Sequence, residues 1–385
     1  MTLQPLLKQD MYLRRCDTMG LTDTAMPENR KRGQIMRFHV VSLPHTNTTK
    51  EFINCAYTEK VRRFCNMMTS LGHEVFLYAG EHNEAEVTHH FVCITEKERL
   101  ESLDGKHFVS ASFDTSLPHW KKFNRQVSTN IARHIQPKDF ICLIGGTAQK
   151  PIADAFPDHM SVEFGIGYGG TFAKYRVFES YAWMHSIYAM HTNPTSVDGN
   201  FYDAVIPGYY DPDMFPLQIE KEDYYLYMGR LIDRKGWRIA QQVCEKLGKR
   251  LIVAGPGDFD GYGEYVGAVG PEKRAELYGG AIATFVPTLY IEPFANVHVE
   301  SMACGTPVIT TDWGVFTETV EQGKTGYRCR SFKEFEKAAE DVKNLDPRYL
   351  QVRAYERFSV DMVRYKYENY FKHLLTLWDK GFYQE

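Results

Sequence analysis

The sequence predicts an α/β protein of two parallel-sheet domains facing a shared cleft. Three observations predict it. Short apolar runs alternate with amphipathic helical patterns in both halves of the 385 residues. A segment dense in turn formers, Ile206-Pro207-Gly208-Tyr209-Tyr210-Asp211-Pro212-Asp213-Met214-Phe215-Pro216, separates the halves. The length suits two domains of about 150 residues each. With 43% hydrophobic and 24% charged residues, the chain has enough apolar side chains for a core, which excludes wholesale disorder. No run approaches the roughly 18 to 20 continuous apolar residues that a membrane span needs. A soluble protein is therefore expected, with peripheral membrane contact left open.

The elements follow in order. Residues 1–35, with the basic run Arg30-Lys31-Arg32, lack sustained periodicity and read as an extension. Met36-Arg37-Phe38-His39-Val40-Val41-Ser42-Leu43 reads as a buried strand stopped by Pro44. Tyr57, Val61, Phe64, Met68 and Leu71 recur at helical steps, with Gly72 at the expected left-handed cap. Strands then follow at Val75 to Ala79, Phe140 to Ile144 and Met160 to Phe164. A second series starts with strand Tyr225 to Met228, a helix from Trp237 to Leu247 ended by Gly248, and strand Leu251 to Ala254. It continues through a helix near Pro271 to Tyr278, strand Ile282 to Val286, helix Ala295 to Cys304 and strand Val308 to Thr311. Ser359 caps a long aromatic helix, Met362 to Trp378, expected to cross back and brace the first domain. The boundaries expected are 36–205 for the first domain, 206–355 for the second and 356–385 for the terminal helix.

Charge and cysteines narrow the function classes. Lys+Arg of 45 against Asp+Glu of 49 gives a net charge of −4, so no overall basic field points to nucleic acid. The eight cysteines form no C-x-x-C pair and no metal-caging cluster, and read as free, mostly buried thiols. The N-terminus shows no apolar stretch with a small-residue cleavage site, so a cytoplasmic location is the expectation.

Two constellations carry chemistry. Gly229-Arg230 ends one strand and Lys235-Gly236 opens the next helix, so a guanidinium and an ammonium lie close to a strand end and suit a diphosphate. The same residues also fit a solvated loop. Glu292 precedes a helix and Glu300 stands on it, in Glu292-Pro293-Phe294-Ala295-Asn296-Val297-His298-Val299-Glu300. The N-terminus of that helix suits an anion, and two carboxylates eight positions apart can grip sugar hydroxyls at two places. An acidic residue favouring the helix start and an ordinary amphipathic glutamate would explain the same pair.

Taken together these segments resemble the retaining GT-B glycosyltransferases of glycosyltransferase family 4. The similarity runs through Ile206-Pro207 with Asp211 and Phe215, Tyr227-Met228-Gly229-Arg230-Leu231 with Lys235-Gly236, and an E-x7-E motif at Glu292 to Glu300. Ala303-Cys304-Gly305-Thr306-Pro307-Val308 and Gly323-Lys324-Thr325-Gly326 complete it. It covers residues 205–330, and weaker similarity covers 36–205. The resemblance implies a GT-B fold of two Rossmann-like domains and transfer from a nucleotide-sugar, a UDP- or GDP-sugar, to an acceptor hydroxyl on a glycan or glycoconjugate. Retention of configuration is implied, with no metal and no other cofactor. It places Gly229, Arg230 and Lys235 at the donor diphosphate and Glu292 at the donor sugar. Phe294, Ala295 and Asn296 would present backbone amides, and Glu300 would hold the ribose.

The first domain departs from the family pattern. Many relatives carry a glycine-bearing loop after the first strand, where this chain has Leu43-Pro44-His45-Thr46-Asn47-Thr48-Thr49. Where many place a histidine after a later strand, it has Ser161-Val162-Glu163-Phe164-Gly165. Glu163 and the turn from Gly165 through Tyr168 to Gly170 are expected beside the reacting sugar, with Glu163 catalytic and His45 and Thr46 nearby. A buried glutamate meeting backbone amides is the other reading of Glu163.

Three features compete with this assignment. Gly165-Ile166-Gly167-Tyr168-Gly169-Gly170 spells G-x-G-x-x-G but lies mid-chain, without the acidic partner of a dinucleotide site. Asp211-Pro212-Asp213 and Asp258-Phe259-Asp260 spell D-x-D, yet one such pair supplies too few oxygens for a metal. Phe172, Tyr175, Phe178, Tyr181 and Trp183 either stack on an acceptor or pack in the core at helical spacing. Two alternatives to the enzyme are the same chemistry on a modified nucleic-acid base, and a non-catalytic nucleotide-sugar binder.

Overall fold

Short apolar runs form most of the strands, and the helices between them bury one stripe each. In the computed structural model, residues 34–108, 111, 113–191 and 198–380 are described. Residues 1–33 of the expected extension, with Arg30-Lys31-Arg32, lie outside the described residues.

The first series runs β1 (Arg37–Val41), α1 (Ala56–Ser70), β2 (Glu74–Ala79), β3 (His89–Val92), α2 (Glu96–Leu103) and α3 (Pro118–His134). It continues β4 (Phe140–Leu143), α4 (Lys150–Asp154), β5 (Met160–Glu163), β6 (Tyr175–Phe178), α5 (Tyr181–His191) and β7 (Ala204–Val205). On α1 the buried stripe is Val61, Phe64, Cys65 and Met68, and Gly72 at φ +82 turns the chain into β2. Among the described residues these strands form a parallel sheet in the order β3-β2-β1-β4-β5-β6-β7. Phe38 of β1 lies opposite both Val75 and Phe140, which sets the central register.

The second series is β8 (Tyr225–Met228), α6 (Trp237–Leu247), β9 (Leu251–Ala254), β10 (Glu264–Gly267), α7 (Pro271–Gly280) and β11 (Thr284–Val286). Then come α8 (Asn296–Ala303), β12 (Val308–Thr311), α9 (Phe316–Thr319), β13 (Gly326–Cys329), α10 (Phe332–Asp341), α11 (Pro347–Phe358) and α12 (Val360–Lys380). The second sheet repeats the topology in the order β10-β9-β8-β11-β12-β13. Both sheets therefore reverse direction beside their first strand, the switch point at which such sheets open a crevice.

The aromatic stretch expected at helical spacing corrects to a strand and a helix start. Tyr175 and Phe178 lie on β6, Phe172 precedes it, and Tyr181 opens α5. Tyr-Arg-Val-Phe suits β6 because Arg176 can leave the apolar face and pair with Asp203 at 2.7 Å. No helix opens on Gly165–Gly170, which leads instead into β6.

The terminal helix α12 packs on the first domain. Val363, Tyr367, Phe371 and Leu374 join the core that holds Phe38, Phe64 and Phe140. The Phe371 ring lies 4.7 Å from Phe38 and 4.8 Å from Phe140. The two chain crossings run side by side: Tyr210 N donates to Phe358 O, and Val360 N donates to Tyr210 O, both at 3.0 Å. The N-terminus of α5 is held from the second series, where Glu318 accepts from Tyr181 N and Ala182 N. Cys65, Cys93, Cys142, Cys244, Cys304 and Cys329 are buried and, with Cys55, free. Among the described residues no helix is long and apolar enough to cross a membrane.

Candidate active site

The site is assembled from loops at the C-terminal ends of the strands. After β8 the chain turns at Gly229, whose N–H donates to Ala254 O, while Tyr227 Oη donates to Arg230 O at 3.0 Å. A short turn, Asp233–Lys235, ends at Gly236 in the left-handed region, φ +71. A Cβ there would lie 2.0 Å from Pro287 O, so only glycine lets this loop close onto the end of β11. The closure delivers Lys235 to Glu292: Nζ lies 2.7 Å from Oε2, and Thr288 Oγ1 donates to Oε1 at 2.7 Å. Both carboxylate oxygens of Glu292 are thereby fixed in a site where it is 6% exposed. Arg234 lies over the Tyr290 ring at 3.8 Å.

The segment before α8 holds an unusual turn. Ala295 takes φ +66, and His298 Nδ1 donates to Ala295 O at 2.6 Å, pinning it. Burial lowers the His298 pKa to about 4, so the ring is neutral near pH 7. The turn sets Asn296 at the head of α8, where Asn296 N and Val297 N precede the first helical carbonyl in reach and His298 N donates to Ala295 O at 3.2 Å. Glu300, one face along the helix and 4% exposed, receives Tyr278 Oη at 3.2 Å and lies 3.7 Å from Arg274 Nη1.

Gly229, Arg230, Lys235, Glu292, Phe294, Ala295, Asn296 and Glu300 all line one cavity of about 810 Å3 between the two sheets. His45 and Tyr168 line it from the first series. Of the other residues expected in the first series, two lie outside the wall and one faces a neighbouring cavity. Thr46 is fully buried, hydrogen bonded to Thr58 Oγ1 at 2.6 Å, and stands outside the wall. Gly165 is also outside it, because at φ +57 it tucks under Lys60 and Ile144. Glu163 faces a smaller neighbouring cavity of about 330 Å3. His45 is packed against Phe113 at 5.3 Å, and burial lowers its pKa to about 4.

Glu163 is 2% exposed, and its Oε2 accepts from Phe172 N at 2.9 Å and Ala173 N at 2.8 Å. Desolvation pushes its pKa up to about 7 against those two bonds, which favour the charged form.

Several lining residues carry no motif. Lys60 on α1 pairs with the buried Glu179 at 2.5 Å, and Arg274 on α7 reaches across to Asn54 Oδ1 at 3.0 Å. Lys60 sits one step from the apolar stripe of α1, so position on the helix was the available signal. Glu179 and Arg274 offered none, since only the folding of distant segments brings them to the cleft. Among the described residues no group of three His, Cys, Asp or Glu could hold a metal. Asp211 instead caps a turn by accepting from Asp213 N, and Asp260 pairs with Arg238 at 2.9 Å.

Residues 211–357 match the family described as "Glycosyl transferases group 1". An uncharacterized glycosyltransferase of Methanocaldococcus jannaschii, MJ1607, is 30% identical over 124 residues, 28% of this chain and 32% of that protein. A D-inositol 3-phosphate glycosyltransferase of Nocardiopsis dassonvillei is 42% identical over 69 residues, 18% of this chain and 16% of that protein. The chain thus spans under a third of the length of these curated relatives. Among solved structures, AviGT4, a glycosyltransferase involved in avilamycin A biosynthesis, superposes with a TM-score of 0.64 at 19% identity, covering 89% of this chain and 98% of its own. Anabaena HepE in complex with UDP and glucose gives 0.60 at 15% identity, covering 88% and 100%. With the two sheet orders, these likenesses establish an α/β GT-B fold.

Proposed function

We propose that the protein is a glycosyltransferase that moves a sugar from a nucleotide-sugar, UDP- or GDP-linked, to a hydroxyl of a glycan or glycoconjugate, with retention of configuration. The observation that carries this reading is the meeting of Arg230, Lys235, Glu292 and Glu300, remote in sequence, on one cavity wall, with Lys235 and Glu292 in direct contact. The match to group 1 glycosyltransferases over residues 211–357, which contain all four, supports it.

In this reading Arg230 and Lys235 hold the diphosphate and stabilise the charge that grows on it as the bond to the anomeric carbon breaks. The N–H groups at the head of α8 share that work with the positive end of the helix dipole. Glu292, oriented by Lys235 and Thr288, takes hydroxyls of the donor sugar, and Glu300, oriented by Tyr278, takes those of the ribose. The acceptor oxygen attacks from the face the diphosphate leaves, and its proton passes to the departing phosphate oxygen, so the roles need no metal. Glu163 and Tyr168 stand on the acceptor side.

Two measurements test the reading. A panel of UDP, UDP-glucose, GDP and GDP-mannose should contain a member that raises the melting temperature, because a ligand bound only by the native state stabilises it. Lys235→Ala and Glu292→Gln should each lower turnover of that donor by about 100-fold or more. If both variants stay folded and within a few-fold of wild type, the assignment fails. Donor binding without turnover or hydrolysis would instead indicate a binding protein.

A further inference from the structure

The smaller cavity beside the cleft has a composition of its own. It lies at the C-terminal ends of β4 and β5, which pair in the sheet, and shares Tyr57, Phe113, Gly167 and Tyr168 with the larger cavity. Two glycine-bearing turns, 145–146 and 167–170, build much of its wall from backbone. Thr147 N and Oγ1 both donate to Gly169 O, at 3.2 and 3.1 Å, and lock the turns together. A Cβ on Gly146 would lie 2.7 Å from Gly169 O, and one on Gly167 would lie 2.0 Å from Tyr57 Oη. The lining is otherwise apolar or aromatic, and among the described residues it holds no lysine, arginine or histidine. Among the described residues its one carboxylate is Glu163, fixed through Oε2, while Oε1 is buried and has no hydrogen-bond partner among them. Such an oxygen is unfavourable in place unless a ligand or solvent donates to it.

We propose that this cavity is an acceptor subsite for an uncharged, hydroxyl-bearing sugar or polyol unit, one of whose hydroxyls donates to Glu163 Oε1 while its C–H face lies on Tyr57 and Phe113. An anion would meet the carboxylate with no counter-charge in the lining, and an ammonium would exchange its hydration for mostly apolar walls. The assignment rests on the larger cavity being the donor site, with which this one communicates through Tyr57 and Tyr168.

The test uses saturation-transfer NMR with methyl gluco-, galacto-, manno- and rhamnopyranosides and myo-inositol on the full chain, followed by monodeoxy analogues of whichever binds. Wild type should bind one of these, and removal of one particular hydroxyl should weaken binding about tenfold. In Glu163→Met, or in Glu163→Ala should that variant alone fold, the side chain offers the hydroxyl neither donor nor acceptor, so parent and deoxy analogue should bind alike, within about twofold. The proposal is overturned if no neutral probe binds wild type, or if the deoxy penalty persists in whichever of these two variants folds. Tighter binding of glucosamine or glucuronate than of any neutral probe also overturns it. Melting shifts with the nucleotide panel separate the two readings. A nucleotide shift without the glycoside result sinks only the subsite, whereas no nucleotide shift sinks the donor assignment whatever the glycosides do.

Discussion

At the scale of single residues, burial sets the charge states. Glu163, raised from an ordinary 4.5 to about 7, is disfavoured as an anion in the native state alone. Below pH 4.5 it is protonated both folded and unfolded and costs nothing; above pH 7 it is ionised in both and the whole penalty applies. Its contribution to stability therefore falls as pH rises from about 4.5 to 7, by at most about 3 kcal/mol. Glu163→Gln should accordingly gain stability relative to wild type between pH 4.5 and 8 in urea denaturation, and a difference that stays flat with pH contradicts the burial argument. His45 and His298 act in the opposite sense. Burial lowers both to about 4, so their share of stability is complete above pH 6.5 and is lost as pH falls toward 4. The motif residues were legible one at a time, because Arg230, Lys235, Glu292 and Glu300 sit at spacings that strand ends and helix starts impose. Glu179 and Arg274 were not, because nothing local distinguishes them from solvated charges.

At the scale of elements, the loop from β8 to α6 depends on one backbone conformation. Gly236→Ala would place a Cβ against Pro287 O in a left-handed residue. It should cost about 2 kcal/mol or more and diminish any nucleotide-induced melting shift, since Lys235 would move with the loop. Unchanged stability together with an unchanged shift would refute that coupling. The bounds of β8, α6, β9 and β12 could be read from the chain because short apolar runs there end at glycine or polar turns. Strands β3 and β10 could not, since both are sheet edges with exposed side chains and no apolar run. Helix α3 carries its own signal, Trp120, Phe123, Val127 and Ile131 buried at steps of three, four and four.

At the scale of the whole molecule, α12 makes the first domain depend on residues that follow the second. Phe371 fills the layer between Phe38, Phe64 and Phe140, so Phe371→Ala should destabilise by about 3 to 5 kcal/mol. The loss should register in tryptophan fluorescence of the first domain, where Trp120 is fully buried. A loss confined to the second domain would mean that α12 does not brace the first. The parallel crossings at Tyr210 and Val360 place the two connections side by side, a geometry suited to a hinge between the sheets. Arg274 with Asn54 and Glu318 with α5 are the contacts that such a hinge would make and break.

The sequence by itself determined the α/β class, the alternation of elements and the residue types on the second domain's side of the cleft. Apolar periodicity, glycine caps and helix-start chemistry are local properties, and short windows of chain contain them. Only the tertiary structure decided the sheet orders, the exclusion of Thr46 and Gly165 from the cleft, the pairing of Lys60 with Glu179, and the buried oxygen of Glu163. Each of these depends on which distant backbone packs alongside, and that is set by the joint burial of all the apolar faces and by no segment alone.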